Sequence, residues 1–264
     1  MNLQTVFYYS RMHFNLWKTL YLNFKCFRFE DAVKLPIFVY GHVGLEDLHK
    51  GCIKLQSVKT RTVRIGGGYC TQMFGLANLY RTHLKISGSL ILGNNITIDQ
   101  GCLISISKGG IIKIGNGCYI NRNTKIHAKE YVELEDHCRV GWDSQIYDTN
   151  FHYTVFQGKV YKRNKPIILH HNVWLANDVT IAKGTVLPAY SVVAAKSLVN
   201  KDMSEYGEAC LYGGTPAKFI AKDIRRLLGV EQQITPLFND SQDYLVWEDI
   251  APCIKDCFAP DYVD

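Results

Sequence analysis

The chain has 264 residues, 47% of them hydrophobic and 20% charged, with a mean hydropathy of -0.08. Disordered, collagenous and coiled-coil architectures are therefore excluded, and the length is enough to bury a sizeable core. The net charge of +6 is uneven: residues 231–264 carry eight acids against Lys255 alone, a balance of -7 that leaves +13 for residues 1–230. A basic body fits phosphorylated small molecules or a membrane surface, and without a dense Lys/Arg run interleaved with aromatics no nucleic-acid partner is expected.

Residues 1–85 read as an N-terminal cap. From Phe7 to Phe29 the segment is aromatic-rich, carries Arg11, Lys18, Lys25 and Arg28, and has no acid. A helical stretch is predicted from about Leu16 to Phe27, with two uses open to it: packing over the end of the domain that follows, or lying on a membrane surface. Short strands follow at Leu35–Gly41, Gly51–Leu55 and Thr62–Gly66, which read as irregular lead-in strands.

From residue 86 to 222 a six-residue period governs the chain. Leu92, Ile98 and Ile104 are followed by Ile114, Ile120 and Ile126, then by Leu134, Val140 and Ile146. After an interruption the series resumes at Leu169, Leu175, Ile181, Leu187, Val193 and Val199. Neither the helical period of 3.6 nor the strand period of 2 produces this pattern. The fourth position after the aliphatic is usually small or slim, as in Cys102, Cys118, Thr124, Cys138, Ser144, Thr185, Ser191 and Ser197. Each unit thus reads as a short flat strand with one inward aliphatic and a cramped corner. Three units close a triangular coil, and stacked coils pair through parallel backbone hydrogen bonds. Extra residues at 105–113 and 127–133 are expected to be corner bulges.

The run Lys165-Pro166-Ile167-Ile168-Leu169-His170-His171-Asn172-Val173-Trp174-Leu175-Ala176-Asn177-Asp178-Val179-Thr180-Ile181, with the later Ser191–Asp202 segment and Gly214-Thr215-Pro216-Ala217-Lys218, resembles the hexapeptide-repeat acyltransferases. Within that family it is most similar to the maltose, galactoside and capsular polysaccharide O-acetyltransferases. The resemblance covers residues 86–222 and implies a mainly β fold, a left-handed parallel β-helix. Beyond it, residues 223–264 are expected to form a short helix and an acidic tail. Where the family commonly has Gly, this chain has His170, Ala176 and Lys196.

The period fails between Ile146 and Leu169, so a loop over residues 147–168 must leave the prism. It opens Tyr147-Asp148-Thr149-Asn150-Phe151-His152-Tyr153, similar to the family loop that carries a catalytic histidine in an Asp-x-x-x-His setting. An acetyl thioester is already activated, whereas a sugar hydroxyl needs a positioned proton acceptor, and histidine is the side chain that titrates near neutrality unperturbed. His152 is the expected base, with Asp148 orienting its imidazole. The resemblance also implies an oxyanion-binding backbone N–H at Asn177 and an acceptor contact at Asp143. For acetyl-CoA it implies Trp174, Asn177, Ala195 and Asn200 along the pantetheine and adenine ends, and Lys201 and Lys218 at the phosphates. The family's shared sites imply a homotrimer.

His127, His137 and His171 are expected at coil edges and His170 at a corner, without a role in the chemistry. The nine cysteines (26, 52, 70, 102, 118, 138, 210, 253, 257) form no CxxC pair, which favours reduced thiols over a disulfide framework or a metal site. No uncharged apolar run approaches the roughly 18 residues of a membrane span and no signal-peptide order opens the chain, so a cytoplasmic protein, peripheral at most, is expected. The expected activity is acetyl-CoA-dependent O-acetylation of a carbohydrate hydroxyl without a metal. N-acetylation of an amino sugar nucleotide is the alternative. A zinc lyase of the carbonic anhydrase kind would need a histidine pair five apart following a distant third, and no such pair exists. A non-catalytic module would have no use for the loop histidine.

Overall fold

The structure is a computed structural model that describes residues 13–68, 80–227, 234–238 and 244–247. Three parallel sheets form the flat sides of a prism. Following the chain, each coil lays one strand on the first side, one on the second and one on the third, so every sheet pairs strands one full coil apart.

The six-residue period maps directly onto this register. Ile98, Ile120, Val140, Leu175 and Val193 stand on one another on the first side. Ile104, Ile126, Ile146, Ile181 and Val199 do so on the second, and Leu92, Ile114, Leu134, Leu169 and Leu187 on the third. All fifteen are at most 1% exposed. Each such burial contributes about 1.5–3 kcal/mol, which is why the pattern tolerates only Ile, Leu and Val. The chain is therefore the triangular parallel β-helix that the hexapeptide repeat implies, and the left hand is the one that the family resemblance implies.

The corners explain the small residues. Cys102, Thr124, Ser144 and Ser197 at one corner, and Cys118, Cys138 and Ser191 at another, are buried. The residue just before each is in the left-handed region: Gly101, Asn123, Asp143 and Lys196 at the first of these corners, Gly117, His137 and Tyr190 at the second. Their amides turn inward along the stack, as when Asn123 donates to the Gln100 carbonyl at 3.1 Å and Lys196 to that of Asn177 at 3.1 Å. Short polar side chains tolerate this backbone better than most, whereas Lys196, with φ of 60°, stands where a glycine would be unstrained.

The boundaries of the coil differ from expectation. The lead-in strands are regular members of the coil: Ile37–Val39 pairs with Val63–Ile65, which pairs with Ile96–Ile98, and Ile53–Leu55 pairs with Leu90–Leu92. The β-helix thus begins at Ile37, not at residue 86, because long corners in the first two coils erase the period while leaving the strands in register. The extra residues near 105–113 and 127–133 lie at the corner between the second and third sides, where the strands Leu103–Ile106 and Ile111–Ile114 lengthen to meet it. At the C-terminal end the first sheet is extended by a hairpin, Cys210–Gly214 with Ala217–Lys222, whose second strand is antiparallel. Among the described residues beyond it, Ile234 is helical and leads into a 3-10 turn at Thr235–Leu237, and Trp247 is helical; most of the segment expected to hold the C-terminal helix and tail lies outside the described residues.

The N-terminal helix is present as α1 (Leu16–Cys26), followed by a short α2 (Phe29–Ala32). Residues 7–12, also part of that aromatic segment, lie outside the described residues, as does most of the acidic tail.

Candidate functional site

The arm between Ile146 and Ile167 is a β-hairpin. Thr154–Phe156 pairs antiparallel with Lys159–Tyr161, and Gln157 and Gly158 between them both have positive φ, the requirement of a two-residue turn that matches strand twist. At its base Thr149 Oγ1 donates to Asn164 Oδ1 at 2.7 Å, and the Asn150 amide donates to Arg163 O at 2.9 Å. Every residue from Phe151 to Tyr161 is exposed. His152 is among them, and among the described residues no side-chain hydrogen bond holds its imidazole.

Asp148 does not orient His152. Its side chain is fully buried, and its two carboxylate oxygens accept three backbone amides of the previous coil: Lys129 at 2.8 Å, Glu130 at 2.6 Å and Tyr131 at 2.8 Å. Those amides line a corner with no strand partner above them, because the arm departs there. A carboxylate is the side chain with enough acceptor capacity to satisfy all three. Asp148 anchors the root of the arm, and the expected dyad is not formed.

The histidine that Asp148 influences is His127. It stands opposite Tyr147 in register on the second side, and the Phe151 ring lies 5.4 Å from the His127 ring and 6.1 Å from that of Tyr147. Burial pushes the His127 imidazole below its ordinary range, against an upward pull from Asp148. This cluster holds the backbone just before His152 at the edge of the second side. From the sequence alone His127 is expected at a coil edge without a role. Its signal was the shared position one after Ile126 and Ile146, which stacks it with Tyr147.

The remaining candidates fall into two groups. Near the corner between the first and second sides, Trp174 and Leu175 form the first-side strand, Asn177 follows at the corner, and Ala195 stands one coil above Asn177. A Cβ added at Gly213 would meet Ala194 Cβ at 3.3 Å, and Gly213 pairs with Lys218, so the hairpin brings Lys218 to the same corner. Asp143 lies one coil below, with φ of 61°, and is exposed. Among the described residues the Asn177 amide donates to no acceptor, while its carbonyl accepts from Lys196. Asn200 and Lys201 lie at the far edge of the second side, the edge from which the arm with His152 rises. Asp143 and the root of the arm are five residues apart across that side, roughly 15 Å of extended chain. Within one chain the proposed base and the proposed oxyanion donor therefore stand on opposite edges of a flat face.

A flat wall at Trp174, an undonated amide at Asn177 and an exposed, unpaired ammonium at Lys218 fit a long phosphorylated thioester lying along the coils. Lys201 fits it less well. Its ammonium is 3.2 Å from Glu205 Oε1 and 5.5 Å from the centre of the Tyr206 ring, so a phosphate there would compete with a carboxylate.

His170 lies away from both groups, at the corner between the third and first sides, with Nδ1 3.1 Å from Glu135 Oε1. The stacked Cys118 and Cys138 are buried corner residues, and burial holds the Cys138 thiol well above its usual range, which leaves it protonated and inert. Among the described residues no group of three or more His, Cys, Asp or Glu side chains is placed to hold a metal ion.

No family model matches the chain. The chain is 27% identical over 156 residues to the dTDP-4-amino-4,6-dideoxy-D-glucose acyltransferase of Escherichia coli, a stretch covering 56% of this chain and 79% of that enzyme. Among solved structures it is similar to a hexapeptide-repeat acetyltransferase of Vibrio cholerae complexed with acetyl coenzyme A, at 30% identity and a TM-score of 0.37 over 42% of this chain. The chain spans 60% of that structure's length. The polySia-specific acetyltransferase NeuO matches over 83% of this chain and 95% of its own, at 20% identity and a TM-score of 0.44.

Proposed function

We propose that this hexapeptide-repeat chain is an acetyltransferase that moves the acetyl group of acetyl-CoA to a hydroxyl of a carbohydrate, working as a homotrimer in the cytoplasm. The observation that carries the reading is the long break in the coil between Ile146 and Ile167: it lifts His152, exposed, from one edge of a flat side whose opposite edge presents the Asn177 amide. Placing the His152 edge of one copy against the Asn177 edge of the next would complete a site that one chain leaves in halves. His152 would take the proton of the attacking hydroxyl, and the Asn177 N–H would meet the oxyanion of the tetrahedral intermediate. Trp174, Ala195 and Lys218 of one edge, with Asn200 and Lys201 of the other, would line the donor, and Asp143 would contact the acceptor. Thioester cleavage then needs no acyl-enzyme and no metal.

The relative in Escherichia coli is named for an amino sugar nucleotide, and this supports a second reading, N-acylation of such a nucleotide by the same two edges. Thiol release from acetyl-CoA, followed with a panel of neutral saccharides and amino sugar nucleotides, separates the two. Turnover confined to the amino compounds would replace the first reading by the second, and no thiol release with any acceptor would end both.

A further inference from the structure

Helix α1 presents polar residues to the protein and aromatic residues to the outside. Its inner side buries Thr19, Leu22, Asn23 and Cys26. The polar pair is explained by the strand it covers, Ile37–Val39, which ends the first sheet and would otherwise leave its outer edge unpaired. Thr19 Oγ1 accepts the Val39 amide at 3.0 Å. Asn23 Oδ1 accepts the Ile37 amide at 3.1 Å, and Asn23 Nδ2 donates to the Ile37 carbonyl at 2.7 Å.

The outer side has no such explanation. Trp17 is 80% exposed, Tyr21 51%, Phe24 38% and Leu16 49%, and α2 continues the surface with Phe29 at 70%. The Phe24 and Phe29 rings are 6.0 Å apart, which joins the two helices' aromatics into one patch. The cations around it are Lys18, Lys25 and Arg28, and the first acid in the whole chain is Glu30. The next acid, Asp31, is paired with Lys34 at 3.8 Å.

We propose that this face seats the protein on an anionic lipid bilayer. Trp, Tyr and Phe rings favour the interface between headgroups and acyl chains, and lysine and arginine beside them gain from the negative surface potential. A second copy fits the face poorly. A two-fold contact would bring Lys18, Lys25 and Arg28 toward their own images, with Glu30 and the Lys34-paired Asp31 the only acids of α1 and α2 to receive them. Spanning is also ruled out for this element, since its 11 residues cover roughly 16 Å and no described helix is long and apolar enough to cross a membrane. The helix lies on the surface, held from behind by Thr19 and Asn23. This inference is independent of the transfer reaction.

The test is co-sedimentation of the full chain with vesicles of phosphatidylcholine alone, or with about a third phosphatidylglycerol, at low and high salt. The wild type should pellet with the anionic vesicles, less so at high salt, and far less with phosphatidylcholine alone. Trp17→Ser with Phe29→Ser, and separately Lys18→Glu with Lys25→Glu, should each weaken binding at least about tenfold without lowering the melting temperature. Wild-type protein left in the supernatant with anionic vesicles at low salt would overturn the proposal, as would both double variants pelleting like the wild type. A Trp17→Ser, Phe29→Ser variant that changes only the mass measured by light scattering would identify a self-association surface instead.

Discussion

Asp148 Oδ2 accepts the backbone amide of Tyr131 at 2.8 Å, seventeen residues back and one coil away. This bond and its two neighbours seal the corner from which the arm leaves, so Asp148→Asn, which replaces one acceptor oxygen by a donor, should destabilise the fold by about 1–3 kcal/mol. Denaturant unfolding would measure it. An unchanged midpoint combined with an altered pH–rate profile would return Asp148 to an orienting role.

His152→Ala should lower the transfer rate by roughly 10²–10⁴ and leave the melting temperature in place, since the side chain is exposed and makes no hydrogen bond. Because the two halves of the proposed site lie on opposite edges of one face, an inactive His152→Ala chain and a Lys218→Ala chain should complement when assembled together. At low acetyl-CoA, mixed assemblies should regain about a quarter of the wild-type rate, the share of contacts that unite an intact edge from each parent. No regain beyond the sum of the two parents would mean that each chain works alone.

A Cβ at Gly141 would lie 2.8 Å from the Asn177 nitrogen and 2.5 Å from the Ala176 carbonyl carbon. Backbone cannot yield as a flexible side chain can, so Gly141→Ala should push the peptide that presents the Asn177 amide. Turnover should fall more than acetyl-CoA affinity, with about 1–3 kcal/mol of stability lost to overpacking. Calorimetric binding measured beside steady-state rates would show the split.

His127 has a folded-state pKa lowered from its ordinary 6.5, chiefly by burial. The unfolded chain therefore binds the proton more readily, and the stability this histidine allows is present above about 6.5 and lost as pH falls through that value. Melting temperature plotted against pH should drop on the acid side of neutrality, and His127→Asn should flatten that part of the drop. An identical slope in the variant would place the acid sensitivity elsewhere.

Glu205 holds the Lys201 ammonium at 3.2 Å. Glu205→Gln should release it and lower the Michaelis constant for acetyl-CoA by up to about fivefold, the worth of an exposed ion pair. Lys201→Ala should raise that constant, and both effects should shrink at high salt. Movement of both variants in the same direction would remove Lys201 from the phosphate site.

The coil from Leu92 to Val199 was legible because each of its fifteen inward positions has the same neighbours above and below, so one side-chain shape repeats at a fixed interval. The first two coils obey the same pairing, yet corners of unequal length after Val39, Leu55 and Ile65 break the interval, and only Ile, Leu and Val triplets remain visible. Asp148 was misread for a different reason. Three residues separate it from His152, a spacing that suits a loop dyad, but the amides of Lys129, Glu130 and Tyr131 that claim its carboxylate come from the preceding coil. His127 escaped notice because its environment is made by Phe151, which the arm folds back onto it.

The first sheet is closed at both ends, by the side chains of Thr19 and Asn23 at Ile37–Val39 and by the antiparallel strand Ala217–Lys222 at the other. A stack of parallel strands is a natural template for filament growth, since each end offers a row of unpaired amides and carbonyls to the next molecule. Here one row is occupied by helix side chains, and the other is reversed in direction and edged with Lys218 and Lys222. Simple addition of another parallel strand to this sheet is therefore opposed at both of its ends.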